Sequence, residues 1–199
     1  MPRVLNTNDP RVVRTRQLIL QAFVSLLNKN DFNDITISDI TKQATVNRAT
    51  FYAHFADKYA LLEALLADTF MEYIHNHVHS DADFSKRTLK SIIFALCDYH
   101  TESSNRIAKH YGSAASVVEE NIKTQLEQHM SRMLGQKYPV QDPTVNLVIT
   151  MTCWAFYGIT YRWNSQGRKE PPEDLAERAV SIVLTDGASM LHQAILVER

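Results

Sequence analysis

The 199-residue sequence is 45% hydrophobic and 22% charged, which excludes a chain that is disordered by composition. Its five glycines and six prolines are too few for an architecture of many strands and turns, and its two cysteines are too few for a disulfide-built secreted protein. The net charge of −1 hides an asymmetry, because residues 1–60 contain eight Lys and Arg against five Asp and Glu, whereas residues 61–199 contain 13 against 17. A basic N-terminal part on an acidic body is typical of a nucleic-acid-binding N-terminus.

The N-terminal part of the chain predicts three short helices. Apolar residues at helical spacing predict the first helix over about residues 12–29. Thr36, followed three places later by Asp39, is a capping box that opens a second helix. Asn47 is suited to cap a third helix, which carries Phe51 and Phe55 on one face. The spacing of the second and third helices predicts a helix-turn-helix.

The remaining chain predicts further helices and no strand. Their expected ranges are about 58–78, 89–100, 105–111, 113–135, 143–163 and 173–196, with Asp142 and Pro143 as the cap and first turn of the fifth. The uncharged stretch 144–161 approaches the ~17–25 residues of a membrane span, but its polar residues and flanking charges favour a buried helix. We therefore expect an all-α fold of about nine helices, with a DNA-binding domain over 1–57 and a helical ligand-binding and dimerisation domain over 58–199.

The stretch NRATFYAHFADK, residues 47–58, combines aromatic residues with polar groups suited to DNA. The first residues of the second helix of a helix-turn-helix lie nearest the base edges, so Arg48 is expected to read guanine and Ala49 to touch a thymine methyl. The other polar groups suit phosphate oxygens, and Lys58 lies at a helix N-terminus that favours a phosphate. The predicted DNA-binding residues are Thr36, Asn47, Arg48, Ala49, Thr50, Tyr52, His54 and Lys58. The alternative is a plain three-helix core whose polar residues are only solvated.

The run ITISDITKQATVNRATFYAHFADKYALL resembles the N-terminal signature of the TetR/AcrR family of bacterial transcriptional regulators. The matching positions are Thr36, Ile40, Ala44, Val46, Thr50, Phe51, Tyr52, His54, Phe55, Lys58, Leu61 and Leu62. With the first helix, the resemblance covers roughly residues 12–65. It implies a dimeric repressor with a variable helical ligand-binding domain.

One position departs from the family pattern, which usually has Ala-Gly-Val at the turn. Here the turn is Ala44-Thr45-Val46, and a β-branched residue is unfavourable at positive φ. Either the turn does not need a left-handed residue, or the third helix approaches at a slightly different angle.

The resemblance also implies that the last two helices form a four-helix interface in a homodimer. The helix over 144–163 is apolar nearly all round and must be covered on two sides, and the last helix carries small residues such as Gly187 and Ala188 that allow close approach. A two-fold dimer presents two recognition helices about one DNA turn apart, so the expected operator in double-stranded DNA is a palindrome.

A pocket for a small-molecule effector is expected between the middle helices. Its predicted residues are Phe94, Cys97, Tyr111, His129, Met133, Trp154, Tyr157 and Tyr161, which suit an apolar or aromatic molecule. Ordinary core packing is the alternative for each of them. His75 and His79 have a spacing that can bind zinc, with Asp81 or Asp83 as a third ligand, but a solvated helix end is favoured and no metal is predicted.

These features predict a dimeric repressor that a small apolar or aromatic ligand releases from its operator. The sequence carries no nucleophile elbow, phosphate loop or HExxH motif, so it predicts neither an enzyme nor a cofactor. The N-terminal MPRVLNTNDPRVVR lacks the apolar core of a secretory signal, which favours a cytoplasmic protein without membrane partners. The alternatives are a ligand-independent helical protein-interaction regulator and a metal-responsive repressor.

Overall fold

The computed structural model describes residues 9–79, 82–110, 114–135, 138 and 141–197, with side chains described outside 103–110 and 185–197. In that part of the chain all regular structure is helical, which confirms the all-α prediction. The elements are α1 (Pro10–Leu27), a 3-10 helix (Phe32–Asp34), α2 (Ile37–Ala44), α3 (Arg48–His54), α4 (Lys58–His77), α5 (Lys86–His110), α6 (Ala115–Leu134), α7 (Pro143–Ser165) and α8 (Pro172–Val197). None of the helices in the described ranges is long and apolar enough to cross a membrane.

The helix α5 differs from the sequence-based expectation of two helices over 89–100 and 105–111. The structure has one continuous helix, Lys86–His110, so the described chain holds eight α-helices rather than about nine. The stretch 101–104, Thr-Glu-Ser-Ser, contains neither Gly nor Pro. Ser and Thr cost a helix only about 0.5 kcal/mol each, which is too little to interrupt it.

Two compact units make up the chain. The first comprises Met1–Asp68 with Asn105–Glu119, and the second comprises Thr69–Ser104 with Glu120–Arg199. The predicted domain boundary after residue 57 remains a prediction.

The first unit is built on α1, α2 and α3, with α1 packed on α2 and α2 on α3. Its core is aromatic: Phe23 meets the edge of Phe32 at 6.3 Å between ring centroids, and Phe51 lies 6.0 Å from Phe55. The four rings are buried, as are Ile19 and Ile40. The inward positions predicted for Phe51 and Phe55 are therefore confirmed.

In the second unit, α7 packs on α8. The N-terminus of α7 has the predicted cap, because the Asp142 carboxylate accepts from the Thr144 backbone N–H at 2.6 Å and Pro143 occupies the first turn. One face of α7 is buried and comprises Val145, Val148, Ile149, Thr152, Cys153, Phe156, Tyr157 and Thr160. The opposite face of α7 is exposed and carries large apolar side chains, among them Leu147, Met151, Trp154 and Tyr161.

Candidate nucleic-acid interface

The turn between α2 and α3 fixes the direction of the candidate recognition helix. Thr45, the residue after α2, adopts φ 55° and ψ 43°, and its backbone N–H reaches the Lys42 and Thr41 carbonyls. The Val46 backbone N–H donates to the Thr41 carbonyl at 3.0 Å and closes the turn. The turn therefore does use a left-handed residue, and the chain fills that position with a β-branched side chain in place of glycine.

We expect Thr45→Gly to stabilise the protein. A left-handed conformation costs a non-glycine residue about 1–2 kcal/mol. Glycine loses about 0.5–1 kcal/mol more backbone entropy on folding, so the net gain is about 0.5–1 kcal/mol. Urea unfolding measures this gain, and Thr45→Ala, which keeps a Cβ but loses the branch, should gain less. A lower unfolding midpoint for Thr45→Gly would show that the threonine side chain holds the turn.

Helix α3 presents an inward aromatic face and an outward polar face. The Asn47 side-chain oxygen accepts from the Thr50 backbone N–H at 2.7 Å, which confirms the predicted cap. Arg48 and Ala49 follow the cap and are exposed, and Tyr52 is 53% exposed one turn further on. The Tyr52 and Phe51 rings pack edge to face with their centroids 5.6 Å apart, so the buried Phe51 orients the exposed Tyr52. Arg48, Ala49 and Tyr52 thus lie on the side of α3 that faces away from the core.

Thr36 hydrogen-bonds within its own helix cap, and His54 is partly buried. The Thr36 hydroxyl donates to the Asp39 carboxylate at 2.6 Å and accepts from the Asp39 backbone N–H at 3.2 Å, and the Thr36 backbone N–H donates to the same carboxylate at 3.0 Å, which completes the capping box. The two hydrogen bonds that the carboxylate accepts lower the pKa of Asp39. His54 is half-buried, and burial followed by the charge of Arg16 lowers the pKa of its ring.

Lys58 has a different environment from the one expected. Its ammonium donates to the backbone carbonyls of Phe32, Asn33 and Ile35 at 3.0, 3.1 and 3.0 Å. It also lies 4.5 Å from the centroid of the Phe32 ring. An ammonium has three N–H donors, and all three are engaged. In this structure the side chain ties the start of α4 to the 3-10 helix, and the direct phosphate contact by Lys58 stays a prediction.

Two of the predicted ligand-binding residues line one cavity among the described residues. His129 and Met133 of α6 line a cavity of about 160 Å³ whose other residues are Met71, His75, Val78, His79, Ala82 and Arg132. Cys97 is buried, and burial raises the pKa of its thiol to about 12. The Phe94 ring lies 6.5 Å from the His77 ring, and Tyr111 lies outside the described residues.

Trp154 and Tyr161, predicted to line the pocket, lie on the outer face of α7. They are 50% and 57% exposed, and the Trp154 indole donates to the Glu127 carboxylate at 2.9 Å. Tyr161 stacks at 6.3 Å on Tyr157, which is buried beside His100. The physical reason is the helical period, which turns 154 and 161 away from the buried face of α7.

The sequence predicted His129 and Met133 as ligand-binding residues but not the other residues that line the cavity. His75, in the last turn of α4, and His79, two residues beyond its end, are four apart, while His129 and Arg132 are three apart on one face of α6. These two spacings are the sequence features that could have predicted the basic residues of the cavity. Among the described residues, no three His, Cys, Asp or Glu side chains come together in a way that could hold a metal ion.

Comparison with known proteins agrees with this architecture. The model of the N-terminal domain of the bacterial regulatory proteins of the tetR family matches residues 19–65, and a transcriptional regulator C-terminal region matches residues 87–185. The HTH-type transcriptional regulator YxbF of Bacillus subtilis (strain 168) is 31% identical over 169 residues, which are 84% of this chain and 44% of YxbF. The dhaKLM operon transcriptional activator DhaS of Lactococcus lactis is 31% identical over 70 residues, 35% of this chain and 37% of DhaS. The chain thus spans less than half the length of these relatives.

Solved structures share the fold. A TetR transcriptional regulator from Streptococcus agalactiae 2603V is 26% identical with a TM-score of 0.55, and the match covers 89% of this chain and 97% of that one. RolR bound to resorcinol is 17% identical with a TM-score of 0.51, covering 92% and 94%, and shows the fold alone. The chain belongs to the TetR family of transcriptional regulators. Residues 19–65 therefore contain the DNA-binding helix-turn-helix of this family.

Proposed function

We propose that the chain is a dimeric repressor that binds a palindromic operator and is released from it by a small apolar or aromatic ligand. Arg48 and Ala49 read base edges in the major groove, while Asn47, Thr50, Tyr52 and His54 contact phosphates or position those that do. Lys58 and Thr36 act by fixing the helices. The observation that carries the proposal is the outward face of α3, where Arg48, Ala49 and Tyr52 are exposed above a buried aromatic anchor.

The chemistry of this face suits sequence reading. An arginine at the start of a recognition helix binds guanine O6 and N7 with its two-pronged guanidinium, and each such pair contributes about 1–3 kcal/mol of discrimination. The carbonyl oxygen of the exposed Asn47 side chain is engaged in the cap, which leaves its amide N–H groups as donors for a phosphate. The capped, aromatic-anchored helix holds these groups in a fixed register.

The exposed face of α7 supports a homodimer. Leu147, Met151, Trp154 and Tyr161 are large apolar residues that lie exposed along this helix, and Ile182 on α8 is 68% exposed. A Cβ built at Gly158, on the same face, meets nothing within 4 Å, so a second helix has room to approach closely. Continuous apolar patches of this kind on a regulator mark a protein interface, and we propose a second copy of the chain as the partner.

In-vitro selection tests the proposed function. Random duplex DNA is selected by the purified protein at about 150 mM salt, where weak non-specific binding is suppressed. We expect a palindrome, and we expect Arg48→Ala to bind it about 10- to 100-fold more weakly, because a two-pronged base contact is lost. Lys29→Ala, an exposed lysine between α1 and the 3-10 helix, is the control and should bind within about twofold. Failure to enrich any sequence with a folded dimer would contradict the proposal.

Activation of transcription is a second candidate function. The relative DhaS is named a transcriptional activator, and it matches this chain over 70 residues. An activator would use the same recognition face but would increase transcription on binding. A reporter gene behind the selected operator distinguishes the two, because a repressor lowers its expression and an activator raises it.

A further inference from the structure

The cavity beside α4 and α6 has a mixed lining. Four of its residues are basic, His75, His79, His129 and Arg132, and four are apolar, Met71, Val78, Ala82 and Met133. An adjoining groove shares Met71, His75 and Arg132 and continues along polar residues of α6. All of these residues belong to the second unit. The cavity therefore offers cationic or hydrogen-bonding groups and an apolar wall within about 160 Å³.

None of the described residues that line the cavity itself carries a carboxylate. The nearest described carboxylates line the neighbouring spaces: Glu127 lines the adjoining groove with His75 and Arg132, and Asp83 lines a second pocket with His79. Arg132 donates from Nε to the Gln128 carbonyl at 3.3 Å, and no Asp or Glu pairs with it among the side chains that the structure describes. His77, on the other side of α4, provides the contrast, because it meets the Asp98 carboxylate at 2.7 Å. Arg132 thus lies at the cavity without a carboxylate partner among the described side chains.

The surroundings of the cavity affect the pKa of His129. Burial lowers the pKa of its ring, and the nearby Arg132 and His75 lower it further. His129, Arg132 and His75 all line the same cavity, which brings their side chains close together. A negative group between them removes the repulsion between their positive charges and gains charge-assisted hydrogen bonds, which are roughly twice as strong as neutral ones.

We propose that this cavity binds a small organic anion. Its negatively charged oxygen group, a carboxylate or a phosphate, lies between Arg132 and His129, and its short apolar body lies against Met71, Val78 and Met133. A guanidinium suits such groups because its N–H donors match two oxygens at once. Drug-sized ligands fill about 300–1,000 Å³, so a cavity of this volume takes a smaller one. The inference rests on the proposed function and narrows its effector from any apolar or aromatic molecule to an acid.

Methionine methyl groups report on the binding directly. The full chain is labelled with 13C at its methionine methyls and titrated with benzoate, phenyl phosphate, benzamide and benzylamine. We expect benzoate or phenyl phosphate to shift the Met71 and Met133 signals saturably and to leave Met151, exposed on α7, unchanged. Benzamide has the shape of benzoate without its charge, and benzylamine has the opposite charge, so neither should saturate. The better of the two anions identifies the oxygen group.

Substitutions separate charge recognition from general packing. Arg132→Gln should weaken binding of the anion about 10- to 100-fold, since a charge-assisted hydrogen bond is lost. His129→Gln should weaken it less, because an amide still donates. His77→Gln, which is two residues from both His75 and His79 but paired with Asp98, is the control and should leave the affinity unchanged. Circular dichroism of each variant establishes that it is folded.

Either of two results would overturn the site: no saturable shift at Met71 or Met133 with both anions, or equal binding of benzoate and benzamide. This failure is distinct from a failure of the proposed function. If the protein selects a palindrome but binds neither anion, only the anion site is contradicted. If it binds benzoate but selects no DNA, the anion site stands and the repressor proposal is contradicted.

Discussion

We expect Lys58→Met to destabilise the first unit by about 2–4 kcal/mol, with a lower midpoint of urea unfolding. The substitution keeps the length and apolar stem of the side chain but removes its three N–H donors. The carbonyls of Phe32, Asn33 and Ile35 then lose a charged partner, and two of these bonds are partly buried. The bond to Asn33 is exposed, so water replaces it and the total loss is smaller than three separate bonds would give.

The same variant separates a positioning role of Lys58 from a phosphate contact. If Lys58 only ties α4 to the 3-10 helix, operator affinity falls because the unit is less stable, and the dependence of affinity on salt keeps its slope. A phosphate-binding lysine would instead leave stability unchanged and reduce the salt slope by about one ion. Lys29→Met is the matched control, because this exposed lysine has no described side-chain partner and should alter neither quantity.

The second large effect is expected from a charge in the proposed dimer interface. Met151 is 58% exposed in the single chain, and its side chain would be buried against a second copy. Burying an unpaired charge costs several kcal/mol, so Met151→Lys should raise the dimer dissociation constant more than about 100-fold. Analytical ultracentrifugation measures this constant.

A control variant shows whether the effect belongs to this face. Val24 of α1 is also an exposed apolar residue, at 38%, but it lies outside the proposed interface. Val24→Lys should leave the dimer intact. If Met151→Lys remains fully dimeric, the exposed face of α7 is not the dimer interface.

The helix caps and the inward face of α3 were predictable because they depend on local chemistry. The side chains of Thr36, Asn47 and Asp142 each accept from a backbone N–H two or three residues ahead, so a few neighbouring residues determine each cap. Phe51 and Phe55 are four apart, and the helical period alone puts them on one side. The continuous helix α5 was missed because a Ser- and Thr-containing stretch looks like a break when nothing beyond it is known.

Long-range contacts explain the other differences. The partners of Lys58 lie 23 to 26 residues earlier in the chain, and no local pattern predicts that its ammonium turns back to them. The helix α7 is apolar on all sides, so periodicity could not tell its buried face from the face that carries Trp154 and Tyr161. The basic lining of the cavity combines α4 with α6, which the sequence separates by about 50 residues.

The central claim, that two copies of α3 read two half-sites, is tested most directly by fluorescence anisotropy on the selected duplex. Three duplexes of equal length are compared: the full palindrome, one half-site with the other scrambled, and a fully scrambled duplex. We expect two chains to bind the palindrome, with the half-site at least about 100-fold weaker and the half-site centres about 34–36 Å apart. Equal affinity for the palindrome and the half-site, or for all three duplexes, would contradict the account.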